Sequence, residues 1–268
     1  MSPTQVPLDH AMVARIAAAQ RFDVRTASIR EMNAVTNQIE AESGLRFIRM
    51  EFGVPGLPLD PIAVEAEIAC LRDANLGHIY APFTGIPELK EEGARFLKLF
   101  CDIDVPASCV VPTVGAMQGC FAAITVSSGL CSSGKVLCLE PGFPVNKQQL
   151  RMQGVPSEGI DLYDHRGEAL VRAIEQRARR GDLCAVLWSS PNNPSWVVLK
   201  ETELEGIVRV CDRYGLIAIE DLAYFGMDTR QDYYTPGVPP FQPTVLRYAD
   251  RAISIISSSK IFSYAGQR

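Results

Sequence analysis

Five short apolar runs constrain this chain more than any other feature: 108–113 (SCVVPT), 135–140 (KVLCLE), 183–189 (LCAVLWS), 215–220 (GLIAIE) and 252–256 (AISII). They do not alternate apolar with polar, so each is expected to be a strand covered on both faces. Helical patterns lie between most of them. At 201–214, Leu204, Ile207, Val208 and Cys211 make one stripe, and 167–179 has the same character. Strands separated by helices form a mainly parallel sheet. The fold class is therefore α/β, three layers of α/β/α around a mainly parallel sheet. In such sheets ligands bind outside the carboxyl ends of the strands, so the residues just after each run are where chemistry is expected.

Ahead of this alternation, 25–43 reads as a helix, and RFIRMEFGVPGLPLDP as a short strand entering a Gly/Pro-rich loop. Helical patterns follow at 61–74 and 87–101, the second with Leu89, Phe96, Leu97 and Phe100 on one face. A net charge of -5 over 268 residues argues against a nucleic-acid or anionic-membrane partner. No apolar run is long enough to cross a bilayer. The N-terminus has no basic region followed by an apolar core. The expected location is cytoplasmic. Of eight cysteines, several sit inside apolar runs, as Cys138 and Cys184 do. There is no C-x-x-C pair, and His10, His78 and His165 are scattered. Reduced, buried thiols are expected, with no metal.

The residues after the runs are VGAMQG (114–119), PGFP (141–144), SPNNPSW (190–196), DLAYFG (221–226) and SSSKIFSYAGQR (257–268). Each has an ordinary explanation. Gly115 suits a turn, Phe143 a core, and PNNP is turn chemistry. Asp221 could cap a helix, and Lys260 could be a surface ammonium. Five at one sheet edge suit one ligand. A phosphate takes helix N-terminal N–H groups, hydroxyls and an arginine. An aromatic ring takes a stacking face. A ring nitrogen takes a carboxylate, and an aldehyde takes a lysine. That ligand is pyridoxal 5'-phosphate.

From about residue 45 onward, the chain also resembles the fold-type I pyridoxal-phosphate enzymes, specifically the class I/II (aspartate aminotransferase-like) aminotransferases. YAPFTGIPELKE (80–91) is similar to the segment ahead of that family's large domain. SPNNPSW, EDLAYFG and SSSKIFSYAGQR are similar to its three cofactor motifs, in order. The resemblance implies an N-terminal helical arm or small-domain segment over 1–45 and a cofactor-binding large domain over 46–268. It implies an aminotransferase moving an amino group between an amino acid and a 2-oxo acid, with a C–S or β-lyase, or a silent fragment, as alternatives. Lys260 is the Schiff-base lysine and general acid/base. Asp221 keeps the ring nitrogen protonated, Tyr224 and Asn193 bond the ring's phenolic oxygen, and Phe143 stacks on the ring. The phosphate falls to Arg268, Ser257, Ser259 and the turn of Gly115, Ala116 and Met117. Tyr80 reaches the phosphate of a neighbouring subunit, which implies a homodimer, and Gly53 is a substrate-binding position.

Two positions depart from the family pattern. The amide motif continues Ser195-Trp196 instead of Thr-Gly, and Met117 stands where some members place a polar phosphate ligand. Family chains are longer, so the sequence is expected to be truncated before the C-terminal small domain.

Overall fold

The computed structural model describes residues 8–50, 53–74, 76–131 and 134–267. The chain divides into two compact units, between Val54 and Pro55.

In the first unit, α1 (His10–Ala18) starts at Asp9, whose side chain accepts from the Ala11 N–H. A single 3-10 turn, Val24–Thr26, precedes α2 (Ile29–Ser43). This second helix begins later than the sequence pattern suggests because Ser28 and Glu31 form a reciprocal capping box. Ile16 and Val35 are buried. The strand expected at the start of RFIRMEF does not form among the described residues: 44–50 is irregular, and Ile48 and Met50 are exposed.

The second unit opens with α3 (Pro61–Arg72) and α4 (Pro87–Cys101), each with proline in its first turn, where a missing N–H costs nothing. On α4, Leu97 is buried, and Phe96 and Phe100 close on each other and on Phe225, whereas Leu89 is 53% exposed. The expected first strand, 108–113, is instead a 3-10 turn (Ala107–Cys109) and an irregular segment. Pro106 and Pro112 remove ladder donors there.

Then come α5 (Gly115–Gly129), β1 (Lys135–Glu140), α6 (Pro144–Met152), β2 (Ser157–Asp161), α7 (Glu168–Ala178), β3 (Leu183–Ser189), α8 (Glu201–Tyr214), β4 (Ile217–Leu222), β5 (Ala252–Ile256) and the short α9 (Ser258–Ile261). The sheet order is β2-β1-β3-β4-β5, and every pairing is parallel. β2 has no apolar run to betray it. It is an edge strand, and Ile160 is its one buried residue. β4 starts two residues later than its apolar run, because Gly215 ends α8 with φ +68°, a conformation glycine takes without strain. The strand therefore extends through Glu220 and Asp221.

The pleat sorts the side chains into two cores. Leu137, Leu139, Val186, Trp188 and Ala218 face one way, onto Leu170 and Ile174 of α7 and Leu204, Ile207, Val208 and Cys211 of α8. Val136, Cys138, Ala185, Leu187, Ile217, Ile219 and Ile255 face the other, onto Cys120, Ala123 and Ile124 of α5 and Leu150 of α6. This is the three-layer α/β/α architecture.

Candidate active site

Because the strands are parallel, their carboxyl ends share an edge. There Ser189 of β3 pairs with Asp221 of β4, and Asp221 with Ile255 of β5. The turns leaving this edge carry most of the candidate residues.

The first turn of α5 comes to the same edge. Gly115 opens the helix at φ +74°. Gly119 packs so closely on β5 that a Cβ there would lie 2.9 Å from Ile255 Cγ2. Val114, the N-cap residue, offers no side-chain acceptor to the first turn, and no acid occupies that turn. The Gln118 side chain turns back to the Val114 N–H, and the Gln149 amide donates to the Met117 carbonyl at 2.8 Å. Ala116 is half-buried against the core, whereas Met117 is exposed. A helix of this length directs its first N–H groups, and a partial positive charge, toward an anion.

Asp221 is buried, 5% exposed. The Ala223 N–H donates to its Oδ1 at 3.0 Å. Burial pushes its carboxyl up to about 6, against the opposing pull of the Ala223 N–H, the Cys120 thiol and the Asn146 amide. Among the described residues it has no ion pair. A buried acid thus lies at the carboxyl edge of the sheet with no cation paired to it among the described residues.

Tyr224, three residues on, accepts a hydrogen bond from Asn193 Nδ2 at 3.0 Å. Its hydroxyl keeps a hydrogen to donate elsewhere. Burial raises its pKa, the Asn193 bond lowers it, and the Asp221 charge raises it. Lys260 is the third residue of α9, with Nζ 5.8 Å from the Tyr224 ring centroid. Ser257 caps α9: its Oγ accepts from the Ser259 N–H at 3.2 Å and donates to Ser259 Oγ at 2.9 Å. Asn193, Tyr224 and Lys260 thus form a contiguous chain.

Asn192 holds that chain to the rest of the edge. It is fully buried, donates from Nδ2 to the Pro141 carbonyl at 2.8 Å, and accepts from Ser195 N–H (3.1 Å) and Oγ (2.7 Å). The turn after β3 is thereby tied to the turn after β1, which carries the half-buried Phe143. Ser195, one of the two departures from the family pattern, keeps the loop closed.

Three candidate residues remain. Tyr80 is 99% exposed in the segment before α4. Gly53 belongs to the first unit and is exposed. Arg268 lies outside the described residues. Sequence reasoning did not single out Asn192, Asn146 or Cys120. A polar residue on the inner face of α6 is a readable signal for Asn146. A cysteine among apolar residues of α5 gives none.

Residues 50–268 match the family of aminotransferases class I and II. A protein of Methanocaldococcus jannaschii, "Probable aspartate aminotransferase", is 25% identical over 221 residues, which cover 82% of this chain and 55% of that protein. "Probable N-succinyldiaminopimelate aminotransferase DapC" of Mycobacterium tuberculosis is 28% identical over 251 residues, 90% of this chain and 57% of that one. The chain thus spans a little over half the length of these curated relatives. The solved structure of aspartate aminotransferase from Thermus thermophilus with maleate superposes with a TM-score of 0.73 at 21% identity, over 95% of this chain and 62% of that one. At that identity the likeness speaks for the fold, while the family match runs through all of the second unit. This chain belongs to the aminotransferase class I and II family.

Proposed function

We propose that the protein is an aminotransferase that moves an amino group between an amino acid and a 2-oxo acid. Pyridoxal 5'-phosphate is the cofactor of this family. The observation that carries the reading is Asp221, buried and with no cation paired to it among the described residues, at the same strand end as the Asn193–Tyr224–Lys260 chain.

The residues suit the group. A buried carboxylate with a raised pKa gains from a protonated ring nitrogen beside it. Asn193 Nδ2, bonded to the Tyr224 oxygen, keeps a second hydrogen and the Tyr224 hydroxyl keeps its own, so both could donate to a phenolic oxygen beside them. The uncapped start of α5 and the linked hydroxyls of Ser257 and Ser259 offer donors to a phosphate.

When bound, the cofactor supplies an aldehyde that captures amines and a ring that withdraws electrons from the captured carbon. Around it, Lys260 would hold the aldehyde through Nζ and, once displaced by the substrate's amine, carry a proton on that same nitrogen. Asp221 would keep the ring nitrogen protonated, and its low-dielectric setting strengthens that pairing. Tyr224 and Asn193 would favour the phenolate, and Phe143 would cover a ring face. Gly115, Ala116, Met117, Ser257 and Ser259 would hold the phosphate, with Arg268 assigned there by the family resemblance. Gly53 is assigned to substrate on the same ground.

We further propose a cytoplasmic homodimer. Ile79, Tyr80, Phe83 and Ile86 are all exposed in one segment, which suits a surface covered by a second copy. Free cysteines fit a reducing compartment. Among the described residues, no helix is long and apolar enough to cross a membrane. No observation favours the lyase alternative.

The test is a two-stage spectral titration. The purified chain with pyridoxal phosphate should show a visible band that an amino acid bleaches and a 2-oxo acid restores. Bleaching with release of ammonia and a 2-oxo acid would instead make it a lyase. No visible band would overturn the cofactor reading.

A further inference from the structure

The loop after β3 places a tryptophan in a backbone conformation that ordinarily goes to glycine. Trp196 has φ +58°, in the left-handed region where bulky residues are strained. Its N–H donates to the Asn192 carbonyl at 2.8 Å and closes the loop, so the conformation is built into the turn. A glycine would adopt it without strain. The indole is 47% exposed, so it is not retained as a core residue.

Its ring meets Tyr224 edge-on, with centroids 5.5 Å apart and planes at 73°. This is a favourable aromatic geometry. The same tyrosine ring is what Lys260 Nζ approaches at 5.8 Å, and its hydroxyl is what Asn193 bonds at 3.0 Å. A tyrosine restrained only at its hydroxyl is free to swing about χ1, which carries the oxygen with it. Turning about χ2 leaves the oxygen in place but changes the face offered to the ammonium. The indole opposes both motions.

We propose that Trp196 is a positioning residue. By packing on Tyr224 it sets where that hydroxyl stands and which ring face meets Lys260. The inference rests on the cofactor reading above, but part of it is testable without any cofactor.

In the cofactor-free protein, Trp188 is buried and Trp196 is the half-exposed indole, so acrylamide quenching reports mainly on Trp196. Tyr224→Ala should shift the emission to the red and increase quenching. Unchanged fluorescence would overturn the contact. With pyridoxal phosphate, Trp196→Gly should weaken binding about three- to tenfold, the range expected for one aromatic pair. It should also move the pH midpoint of the visible band, while Tm stays the same or rises as the strain is relieved. Trp196→Phe should restore wild-type behaviour. In a Tyr224→Phe background, Trp196→Gly should no longer move the midpoint. A Trp196→Gly protein with wild-type affinity and midpoint, or with losses that only track a lowered Tm, would overturn the positioning role. That result would leave the cofactor reading intact, whereas a wild-type protein with no band would remove both.

Discussion

Glu220 and Asp221 are neighbours on β4, yet the pleat sends them into opposite layers of the molecule. Glu220 lies on the α7/α8 side, 0% exposed, and its Oε2 accepts from Thr244 Oγ1 (2.6 Å), the Val245 N–H (3.0 Å) and Ser254 Oγ (3.0 Å). Asp221 lies on the α5 side, next to a thiol, an amide and one backbone N–H. Burial raises both, to about 7 and about 6. Glu220 uses its donors to stitch β5 and the preceding 3-10 turn (Val245–Arg247) onto β4, which is a structural task. Asp221 holds together little that could not be held without it, and it sits at the edge beside Tyr224. One layer of this fold spends its buried carboxylate on tying strands together, and the other leaves one at the strand edge with a single backbone donor.

The largest expected effect separates the two acids by binding. Asp221→Asn should weaken pyridoxal phosphate binding by about a hundredfold or more, because a buried ion pair loses its anion. Glu220→Gln should change it by less than about twofold, since it faces the other layer and Gln still offers an oxygen to the donors. Isothermal or spectral titration of both variants checks this, and equal losses would erase the distinction.

Stability should respond in the reverse order. Glu220→Ala takes the acceptor from the buried Val245 N–H and leaves the Thr244 and Ser254 hydroxyls only each other, which should cost about 1–3 kcal/mol in urea denaturation. Asp221→Asn should cost nothing at pH 8 and could gain up to about 3 kcal/mol, because its raised pKa makes the charged form a burden on the folded state.

The pH profile follows with a definite sign. A carboxyl that binds its proton more tightly when folded contributes stability below its unfolded pKa and loses it as pH rises through the folded one. Asp221 acts between its ordinary 3.8 and about 6, and Glu220 between 4.5 and about 7. At Glu203, burial is outweighed by Arg166 and by the N–H groups of Lys200 and Gly167, which hold it at about 2, so its opposite effect is complete by pH 4.5. Stability of the cofactor-free protein should therefore fall from pH 4.5 to 7. Asp221→Asn should remove the lower part of that fall and Glu220→Gln the upper part. A profile flat across this window would contradict the burial account.

A smaller effect sharpens the contrast between layers. Gly206 of α8 faces α7 so closely that a Cβ would lie 2.3 Å from Val171 Cγ2. Gly206→Ala should cost about 1–3 kcal/mol of stability despite alanine's better helix propensity, and leave cofactor affinity unchanged.

The contrast also explains what the sequence made legible. The stripe Leu204, Ile207, Val208 and Cys211 was readable because α8 buries one face at helical spacing. The runs of β1 and β3 are readable because both their faces are covered, and β5 keeps an apolar run although it ends the sheet with only Ile255 buried. β2 is not, since only Ile160 of this edge strand is buried, and 108–113 misleads because Pro112 within it, like Pro106 just before it, lacks the N–H that a ladder needs. At the site, Lys260, Asp221, Tyr224 and Asn193 stood out as motifs at strand ends. Their supports did not: Cys120 and Asn146 reach Asp221 across long stretches of chain, and no local pattern records such a contact. Trp196 was visible only as a departure, and its contact with Tyr224 required three dimensions.

On the reading proposed above, this strand edge gathers a pyridoxal-phosphate site around one lysine. The most direct test is to mix the folded chain with the cofactor, reduce with borohydride and map the label by peptide mass spectrometry. The account predicts one label on Lys260, absent from Lys260→Ala and from the denatured chain. Label spread over exposed lysines such as Lys98 and Lys200, with Lys260 no more reactive than they are, would contradict it.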